Sequence, residues 1–195
     1  MDLAQYITDQ CQSSHWTSRM SQYQRLLTEA IEHGVAMMDE PEGASVLDAG
    51  CGDGWSLGEW ARHGCEPTGL DLSVEKAQMA SARGFRVAVA VLGRDRLVWN
   101  DDTFDFVFSS HTLEHLPPKW QAQAASELHR VAKPGALGLV IVPYGHKRSP
   151  GHMTYFDRED ELPALLRDAG FTVSKSVLRE RLEPEQWIEL RRGKT

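Results

Sequence analysis

Three alternating glycines and two acidic residues form the densest chemical signal in the sequence. Gly50, Gly52 and Gly54 follow an apolar run that ends at Asp48. Glycine lacks a Cβ and adopts positive φ readily, so alternating glycines let the backbone turn sharply and approach a ligand closely. A second short apolar run ends at Asp71, whose carboxylate can accept both hydroxyls of a ribose. The pattern predicts a site for a nucleoside-containing cofactor.

The side chains around the glycines limit the choice of cofactor. A dinucleotide fingerprint requires Gly-x-Gly-x-x-Gly, and Trp55 occupies the position of its third glycine. The Asp48 carboxylate would repel a pyrophosphate but suits a cation, such as the amino group of a methionine moiety. A Gly-x-x-x-x-Gly-Lys-Ser/Thr phosphate loop is excluded because Glu59 follows Gly58. These residues argue against a nicotinamide-dependent dehydrogenase.

A second group of residues, which could bind a metal, follows a predicted strand that ends at Ser110. His111, Glu114 and His115 match His-x-x-Glu-His, the pattern that binds zinc in inverted zincins. Zinc binding by that pattern needs a continuous helix, on which the two imidazoles converge. Two prolines follow at once and a strand precedes, which leaves little room for such a helix. We therefore predict no metal site here.

Residues 143–155 are predicted to form a long loop that is rich in ionisable side chains. The loop contains His146 and His152 together with Tyr144 and Tyr155. Histidine and tyrosine can hydrogen-bond a polar nucleophile at neutral pH, and such loops bind substrates in α/β sheets. His115 and His152 are the leading candidates for a catalytic base. The alternative is that these side chains only hold the loop in place.

Hydrophobic periodicity places these residues on alternating strands and helices. Strands are predicted at residues 46–49, 68–72, 85–91, 104–110, 136–142, 171–179 and 186–192. Helices are predicted at residues 55–63, 73–83 and 117–131, from Asp157 or Asp160 to 169, and twice within the first 43 residues. The alternation indicates an α/β fold with a doubly wound, Rossmann-like sheet that is mostly parallel and carries helices on both faces.

Length and composition describe an ordinary globular protein. The 195 residues are expected to form one domain, with an N-terminal helical cap segment at 1–43 and a Rossmann-like core at 44–195. A net charge of −7 argues against a nucleic-acid partner. No apolar run is long enough to cross a bilayer, so no membrane partner is expected. Three cysteines without metal or redox spacing favour a cytoplasmic location.

Five stretches of the chain carry a resemblance to a known family. Val46–Gly54 and Leu70–Asp71 resemble motif I and the second-strand acid of class I S-adenosylmethionine-dependent methyltransferases. Phe104–Leu116, Val131–Gly135 and Ala169–Phe171 resemble further landmarks of their small "methyltransferase domain" group. The landmarks occur in the expected order and spacing between about residues 44 and 175. An isolated glycine loop would be a weak signal, whereas five ordered landmarks are a strong one.

The resemblance implies a fold, a cofactor and a set of site residues. The last two strands would form an antiparallel hairpin at the sheet edge, with the last strand antiparallel to the others. The cofactor would be S-adenosyl-L-methionine, and the product S-adenosyl-L-homocysteine. The cofactor would contact ten residues that lie at the strand ends and in the loops after them. These are Asp48, Gly50, Cys51, Gly52, Asp71, Leu72, Leu92, Gly93, Ser110 and His111.

The sequence departs from the family in two places. Relatives usually carry an acid after the third strand to bind the adenine amino group, but Gly93 occupies that position and Asp95 follows two residues later. Either the loop shifts to bring Asp95 to the adenine, or backbone groups bind it. Some quinone-biosynthesis relatives bind a divalent ion through Glu-x-x-Glu-His, and His111 replaces their first glutamate. N-terminal aromatic residues, here Trp16 and Tyr23, often reach the cofactor in relatives, although core packing is the alternative.

The implied reaction is direct in-line transfer of the sulfonium methyl group to an oxygen, nitrogen or carbon of the acceptor, with O- or N-methylation favoured. A small-molecule or glycan-like acceptor is expected, because residues 151–156 are similar to loops of small-molecule and sugar methyltransferases. If the nucleophile is a hydroxyl, His115 or His152 would remove its proton, with His111 and His146 as weaker candidates. The alternative is a catalytically inactive S-adenosylmethionine-binding regulator or partner subunit.

Overall fold

Seven strands form a single sheet in the computed structural model, which describes residues 2–12, 20–145 and 151–194. The strands are β1 (Ser45–Ala49), β2 (Glu66–Asp71), β3 (Arg86–Val89), β4 (Phe104–Ser110), β5 (Ala132–Pro143), β6 (Phe171–Glu180) and β7 (Pro184–Arg192). Their order across the sheet is β3-β2-β1-β4-β5-β7-β6. Strands β1 to β5 run parallel, and β7 is antiparallel to both of its neighbours. The predicted doubly wound sheet with an antiparallel last strand is confirmed.

Six α-helices accompany the sheet in the described part of the chain. They are α1 (Leu3–Gln12), α2 (Met20–Met37), α3 (Trp55–Arg62), α4 (Val74–Ala82), α5 (Pro118–Val131) and α6 (Glu161–Asp168). Ser73 caps α4 by accepting a hydrogen bond from the Lys76 amide at 3.3 Å. Pro118 occupies the first turn of α5, where a missing N–H costs nothing. None of the helices in these described ranges has the length and apolar character needed to cross a membrane.

Helices cover both faces of the sheet. Val46 and Phe106 belong to the cluster that includes Trp60 of α3 and the inner face of α2. Their neighbours Leu47 and Val107 belong to the opposite cluster, with α5 and α6. Successive residues of a strand point to opposite faces, so a strand buried on both sides must be continuously apolar. This explains the apolar runs that precede the candidate site residues in the sequence.

One strand boundary differs from the sequence prediction, and the order of the last two strands was not predicted. β5 begins at Ala132 rather than at residue 136, and its pairing with β4 skips from Ala132 to Leu137. Residues 133–136 therefore bulge out of the strand instead of separating it from α5. The final hairpin lies at the sheet edge as expected. Its inner strand is β7, which pairs with β5, and β6 is outermost. β7 carries the buried Trp187 and Leu190, whereas β6 is largely exposed.

The first helix packs on the segment that follows β4. Tyr6 of α1 is 1% exposed, and its ring meets Trp120 edge-on at 5.0 Å between centroids. The Tyr6 hydroxyl donates to the His115 carbonyl at 3.2 Å. Gln10 of the same helix donates to the Gly151 carbonyl at 2.9 Å. The N-terminus is thereby fixed beside the loops that follow β4 and β5.

A close contact at Gly34 holds α2 against the sheet and generates a stability prediction. A Cβ at this position would lie 2.6 Å from Trp60 Cη2 and 3.2 Å from Phe106 Cζ. Helix propensity alone favours alanine over glycine by about 1 kcal/mol. Both ring systems are fully buried, so overpacking should outweigh that gain. We expect Gly34→Ala to lower the free energy of unfolding by about 1–3 kcal/mol, measured by denaturant unfolding.

Gly58 in α3 provides the matched control. A Cβ there would meet only Phe85 Cζ, at an ordinary 3.9 Å. Gly58→Ala should therefore raise the free energy of unfolding by about 0.5–1 kcal/mol. Equal stabilisation by both substitutions would show that α2 does not pack on Trp60 as described.

Candidate active site

A cavity of about 540 Å³ opens where β1, β2 and β4 end. Its walls come from the loops after these strands and from one side of α1 and α2. Ligands of open α/β sheets bind at this edge, on either side of the point where the strand order reverses. Here the reversal falls between β1 and β4. The cavity therefore occupies the position that the topology predicts for a ligand.

The glycine turn forms the floor of the cavity. Gly50, Gly52 and Gly54 have φ values of 95°, 56° and 82°, in the left-handed region that glycine adopts without strain. The amides of Gly50 and Cys51 both donate to the Leu70 carbonyl, at 2.7 and 3.0 Å. A Cβ on Gly52 would meet nothing within 4 Å, because that position faces open space. Gly52 thus presents bare backbone to the cavity.

Asp71 shapes this turn from the end of β2. One carboxylate oxygen accepts from the Gly52 amide at 2.9 Å, and the other accepts from the Ser73 amide at 2.9 Å. Each carboxylate oxygen can accept a further hydrogen bond, so these contacts leave capacity for ligand hydroxyls. Asp71 lines the cavity together with Leu72.

Asp48 is a buried acid that faces the cavity with an unused oxygen. Its side chain is 2% exposed, and Oδ2 has no hydrogen-bond partner among the described residues. Burial raises the pKa of Asp48 to about 7, with a further increase from the Asp71 charge and an opposing hydrogen bond from Ser56. A buried carboxylate in this state favours a cationic ligand group, which would restore its ionised form.

The cavity wall after β3 lacks an acid at the position where relatives usually carry one for adenine. Leu92 lines the cavity there, whereas Gly93 and Asp95 are absent from its wall. Asp95 accepts instead from the Val91 amide at 2.9 Å and pairs with Arg94. Gly93 packs against the Trp120 backbone. Of the two alternatives left open by the sequence, this geometry favours adenine binding by backbone and apolar groups.

The near end of the cavity is formed by the segment after β4. His111 has φ 52°, in the left-handed region, and its amide donates to the Ile141 carbonyl at 2.9 Å. Its ring lies between two buried carboxylates, 3.1 Å from Glu185 and 3.6 Å from Glu114. Burial alone would lower the pKa of His111, but these carboxylates raise it to about 10. His111 is therefore an imidazolium at neutral pH and is a poor candidate for a base.

The two leading histidines lie together beside this segment. His115 lines the cavity, and its ring meets that of His152 at 5.1 Å between centroids. Burial lowers the pKa of His152, which favours the neutral imidazole. Burial would raise the pKa of Glu114, yet the His111 imidazolium holds it below its ordinary value. The structure thus brings His152 to His115, although His152 itself is not part of the cavity wall.

The loop tyrosines and two other candidates have different outcomes. The Tyr144 hydroxyl donates to the Asp157 carbonyl at 3.0 Å, and the Tyr155 hydroxyl donates to the His152 carbonyl at 3.3 Å. Both contacts hold the loop in place, which is the alternative that the sequence left open. Tyr23 lines the cavity from α2. Trp16 and His146 lie outside the described residues.

Sequence reasoning missed several wall residues that come from remote segments. Tyr6 and Gln10 reach the cavity from α1, and Arg181 and Glu185 reach it from the final hairpin. None of them stands in a motif. The only sequence signal was the opposite charge of Arg181 and Glu185 on either side of the hairpin turn, and such a pair ordinarily indicates a solvated turn.

Comparison with known proteins agrees with this geometry. A family model for the methyltransferase domain matches residues 47–140. A probable tocopherol O-methyltransferase of Oryza sativa subsp. japonica, a chloroplastic protein, is 35% identical over 161 residues, which cover 76% of this chain and 43% of that protein. A probable S-adenosylmethionine-dependent methyltransferase of Mycolicibacterium smegmatis is 35% identical over 143 residues, covering 69% and 54%. The solved structure of a methyltransferase from Aquifex aeolicus has a TM-score of 0.63 at 27% identity, covering 77% and 82%.

The chain belongs to the class I S-adenosylmethionine-dependent methyltransferases. The resemblance inferred from the sequence is confirmed, and S-adenosylmethionine is the cofactor of this family. The chain spans about half the length of the first two relatives, 43% and 54%. The zinc-peptidase interpretation lacks its helix, because Leu113–His115 is a single 3-10 turn.

Two features of the cavity of this methyltransferase suit S-adenosylmethionine. The unpaired oxygen of Asp48 suits the α-ammonium group of S-adenosylmethionine, and the open space at Gly52 suits a ligand that contacts backbone. Each point yields a prediction.

We expect Gly52→Ala to weaken S-adenosylmethionine binding at least about tenfold in calorimetry, because the methyl group would enter the cavity. Gly43→Ala is the matched control. Gly43 also has a left-handed φ, 73°, and open space around its Cβ, but it lies outside the cavity wall. The two substitutions carry similar backbone strain, so a similar loss of affinity in both would contradict the assigned floor.

We expect the affinity for S-adenosylmethionine to fall by up to about tenfold for each pH unit below 7, the pKa of Asp48 in the free protein. The ammonium group binds the carboxylate, so protonation of Asp48 competes with binding. Asp48→Asn should bind more weakly at pH 8 and lose this dependence. Methylthioadenosine lacks the amino group and serves as the control ligand, and an identical pH profile for both ligands would refute the contact.

Proposed function

We propose that this protein transfers the methyl group of S-adenosylmethionine to an oxygen of a small-molecule acceptor. The observation that carries the proposal is one continuous cavity with two different walls. One wall runs from the glycine turn to Leu92 and offers open space at Gly52 and the Asp71 carboxylate to a nucleoside. The other wall, between α1, α2 and the segment after β4, remains for an acceptor.

The chain's own residues would hold the cofactor through most of the predicted set. Asp48 would bind the α-ammonium group, Asp71 the ribose, and Leu72 and Leu92 the adenine faces. The backbone of the glycine turn and of the segment after β4 would complete the contacts, through Gly50, Cys51, Gly52, Ser110 and His111. Gly93 lies behind this wall rather than in it. The bound cofactor supplies an electrophilic methyl group on a sulfonium centre.

Helix α2 and strand β4 give the acceptor wall an apolar side, which favours a small molecule over a glycan. Helix α2 contributes Leu26, Leu27 and Ala30, and β4 contributes Phe108. Glycans require many hydrogen bonds, whereas apolar walls bind aromatic or aliphatic groups. The rice relative carries the name of an O-methyltransferase, which supports oxygen as the nucleophile.

The acceptor proton would be handled at the His115 end of the cavity. His115 is the candidate base that lines the acceptor wall, and His152 lies next to it. Removing a hydroxyl proton in the transition state ordinarily contributes about 10²–10⁴-fold to a rate. The remaining contribution of the protein is orientation of the acceptor oxygen toward the methyl carbon with water excluded.

The test combines cofactor binding with methyl transfer to a panel of phenols, amines and glycans. We expect transfer from labelled S-adenosylmethionine to a phenolic or other hydroxyl acceptor. His115→Ala should lower kcat at least about a hundredfold while cofactor affinity stays within about threefold, because the side chain acts mainly in the transition state.

His33→Ala is the matched control, since His33 is also a partly buried histidine beside a carboxylate, 3.0 Å from Glu189, but lies outside the cavity wall. Its rate should be that of the parent protein. Cofactor binding without transfer to any acceptor of the panel would favour the inactive regulator, and absence of cofactor binding would refute the proposed function altogether.

A further inference from the structure

Three potential metal ligands converge beside the acceptor wall. Glu114 and His115 come from the turn after β4, and His152 comes from the loop after β5. One ligand atom of each residue lies within 4.8 Å of those of the other two. His152 lies 37 residues after His115 and 38 after Glu114, so sequence spacing could not show this juxtaposition. The group also differs from the His111 and His115 pair of the zincin pattern.

Glu114 lacks the partners that a buried carboxylate needs. Its side chain is 2% exposed, and neither oxygen has a hydrogen-bond partner in residues 2–12, 20–145 and 151–194. The nearest cationic group is His111, at 3.6 Å, and His111 lies closer to Glu185 at 3.1 Å. A buried carboxylate whose oxygens accept no hydrogen bond is costly, so both Glu114 oxygens remain available to a bound cation.

His115 presents a lone pair toward the same point. Its Nδ1 lies 3.0 Å from the Gly151 carbonyl oxygen. A carbonyl only accepts, so the proton resides on Nδ1 and Nε2 carries the lone pair. Nε2 lies 3.9 Å from a Glu114 oxygen, too far for a hydrogen bond. A histidine that donates one nitrogen to a carbonyl and leaves the other free has the arrangement of a metal-bound imidazole.

Backbone contacts fix the third ligand in place. The amides of Met153 and Thr154 donate to the Glu114 carbonyl at 2.8 and 3.0 Å. Gln10 donates to the same Gly151 carbonyl that accepts from His115. The His152 ring is held perpendicular to that of His115, with 5.1 Å between the centroids. The three ligands therefore stand on a hydrogen-bonded frame rather than on a free loop.

We propose that Glu114, His115 and His152 bind one divalent first-row transition cation, such as Zn²⁺, Mn²⁺ or Co²⁺. Two imidazoles and one carboxylate form a donor set that suits these ions, whereas Mg²⁺ prefers oxygen ligands in octahedral geometry. Three protein ligands leave at least one coordination position open. This departs from the sequence expectation of no metal, which considered only His111, Glu114 and His115.

The role of the cation rests on the proposed function. Because His115 forms part of the acceptor wall, a cation on its Nε2 would polarise an acceptor hydroxyl and lower the pKa of that hydroxyl. With its Nε2 lone pair bound to the cation, His115 would act as a ligand rather than as the base, and the acidified hydroxyl would lose its proton to water. Binding of the cation itself does not depend on methyl transfer.

The experiment is a Co²⁺ titration of untagged, chelator-treated protein, followed by visible d–d absorption and by calorimetry. We expect saturation at one equivalent, displacement by Zn²⁺ and weaker binding of Mg²⁺. His152→Asn and Glu114→Gln should each weaken Co²⁺ binding at least tenfold, and His33→Asn should leave it unchanged. His152 stands on a partly exposed loop, so His152→Asn retains the test if Glu114→Gln fails to fold.

Lack of saturation at one equivalent, tighter binding of Mg²⁺, or unchanged affinity in the folded variants would overturn the proposal. Calorimetry with S-adenosylmethionine on the same samples separates the two ideas. Cofactor binding without Co²⁺ binding would refute only the metal site. Co²⁺ binding without cofactor binding would refute the proposed function and leave the metal site standing.

Discussion

The carboxylate of Glu185 joins three segments that are far apart in the chain. One oxygen lies 3.1 Å from the His111 ring, and the other accepts from Arg181 at 3.0 Å and from Trp187 at 2.9 Å. Arg181 also donates to the Leu26 carbonyl of α2. Arg181 and Glu185 are buried and His111 is partly buried, so loss of one of these charges would leave another uncompensated. The shape of the acceptor wall depends on this one carboxylate.

The two halves of the cavity are built in different ways. The cofactor half consists of consecutive residues at the ends of β1 and β2, joined by the Asp71 contact to the Gly52 amide at 2.9 Å. The acceptor half is assembled from α1, α2, the segment after β4 and the final hairpin. Methyltransferases that share the first half can therefore differ in the second, because no short motif constrains it.

The acceptor half also concentrates the buried charges. Successive ion pairs form a line of four residues whose charges alternate in sign, namely Arg181, Glu185, His111 and Glu114. His111 remains charged because two carboxylates stabilise its imidazolium, which removes it from the candidates for a base. The last member of the line, Glu114, faces His115 and His152 without a hydrogen bond among the described residues. The unpaired oxygens of Glu114 therefore lie next to His115, a residue of the acceptor wall.

The sequence by itself determined the strands, most helices, the glycine turn and the roles open to Asp48 and Asp71. These features depend on local periodicity, on the φ freedom of glycine and on residues placed at strand ends. Only the tertiary structure decided four other features. They are the place of β7 as the inner strand of the hairpin, the inward reach of Tyr6 and Arg181, the hydrogen bond of Asp95 to a backbone amide, and the pairing of His115 with His152. They depend on contacts between distant segments, and the free energy of such contacts comes from burial and charge pairing that sequence spacing does not encode.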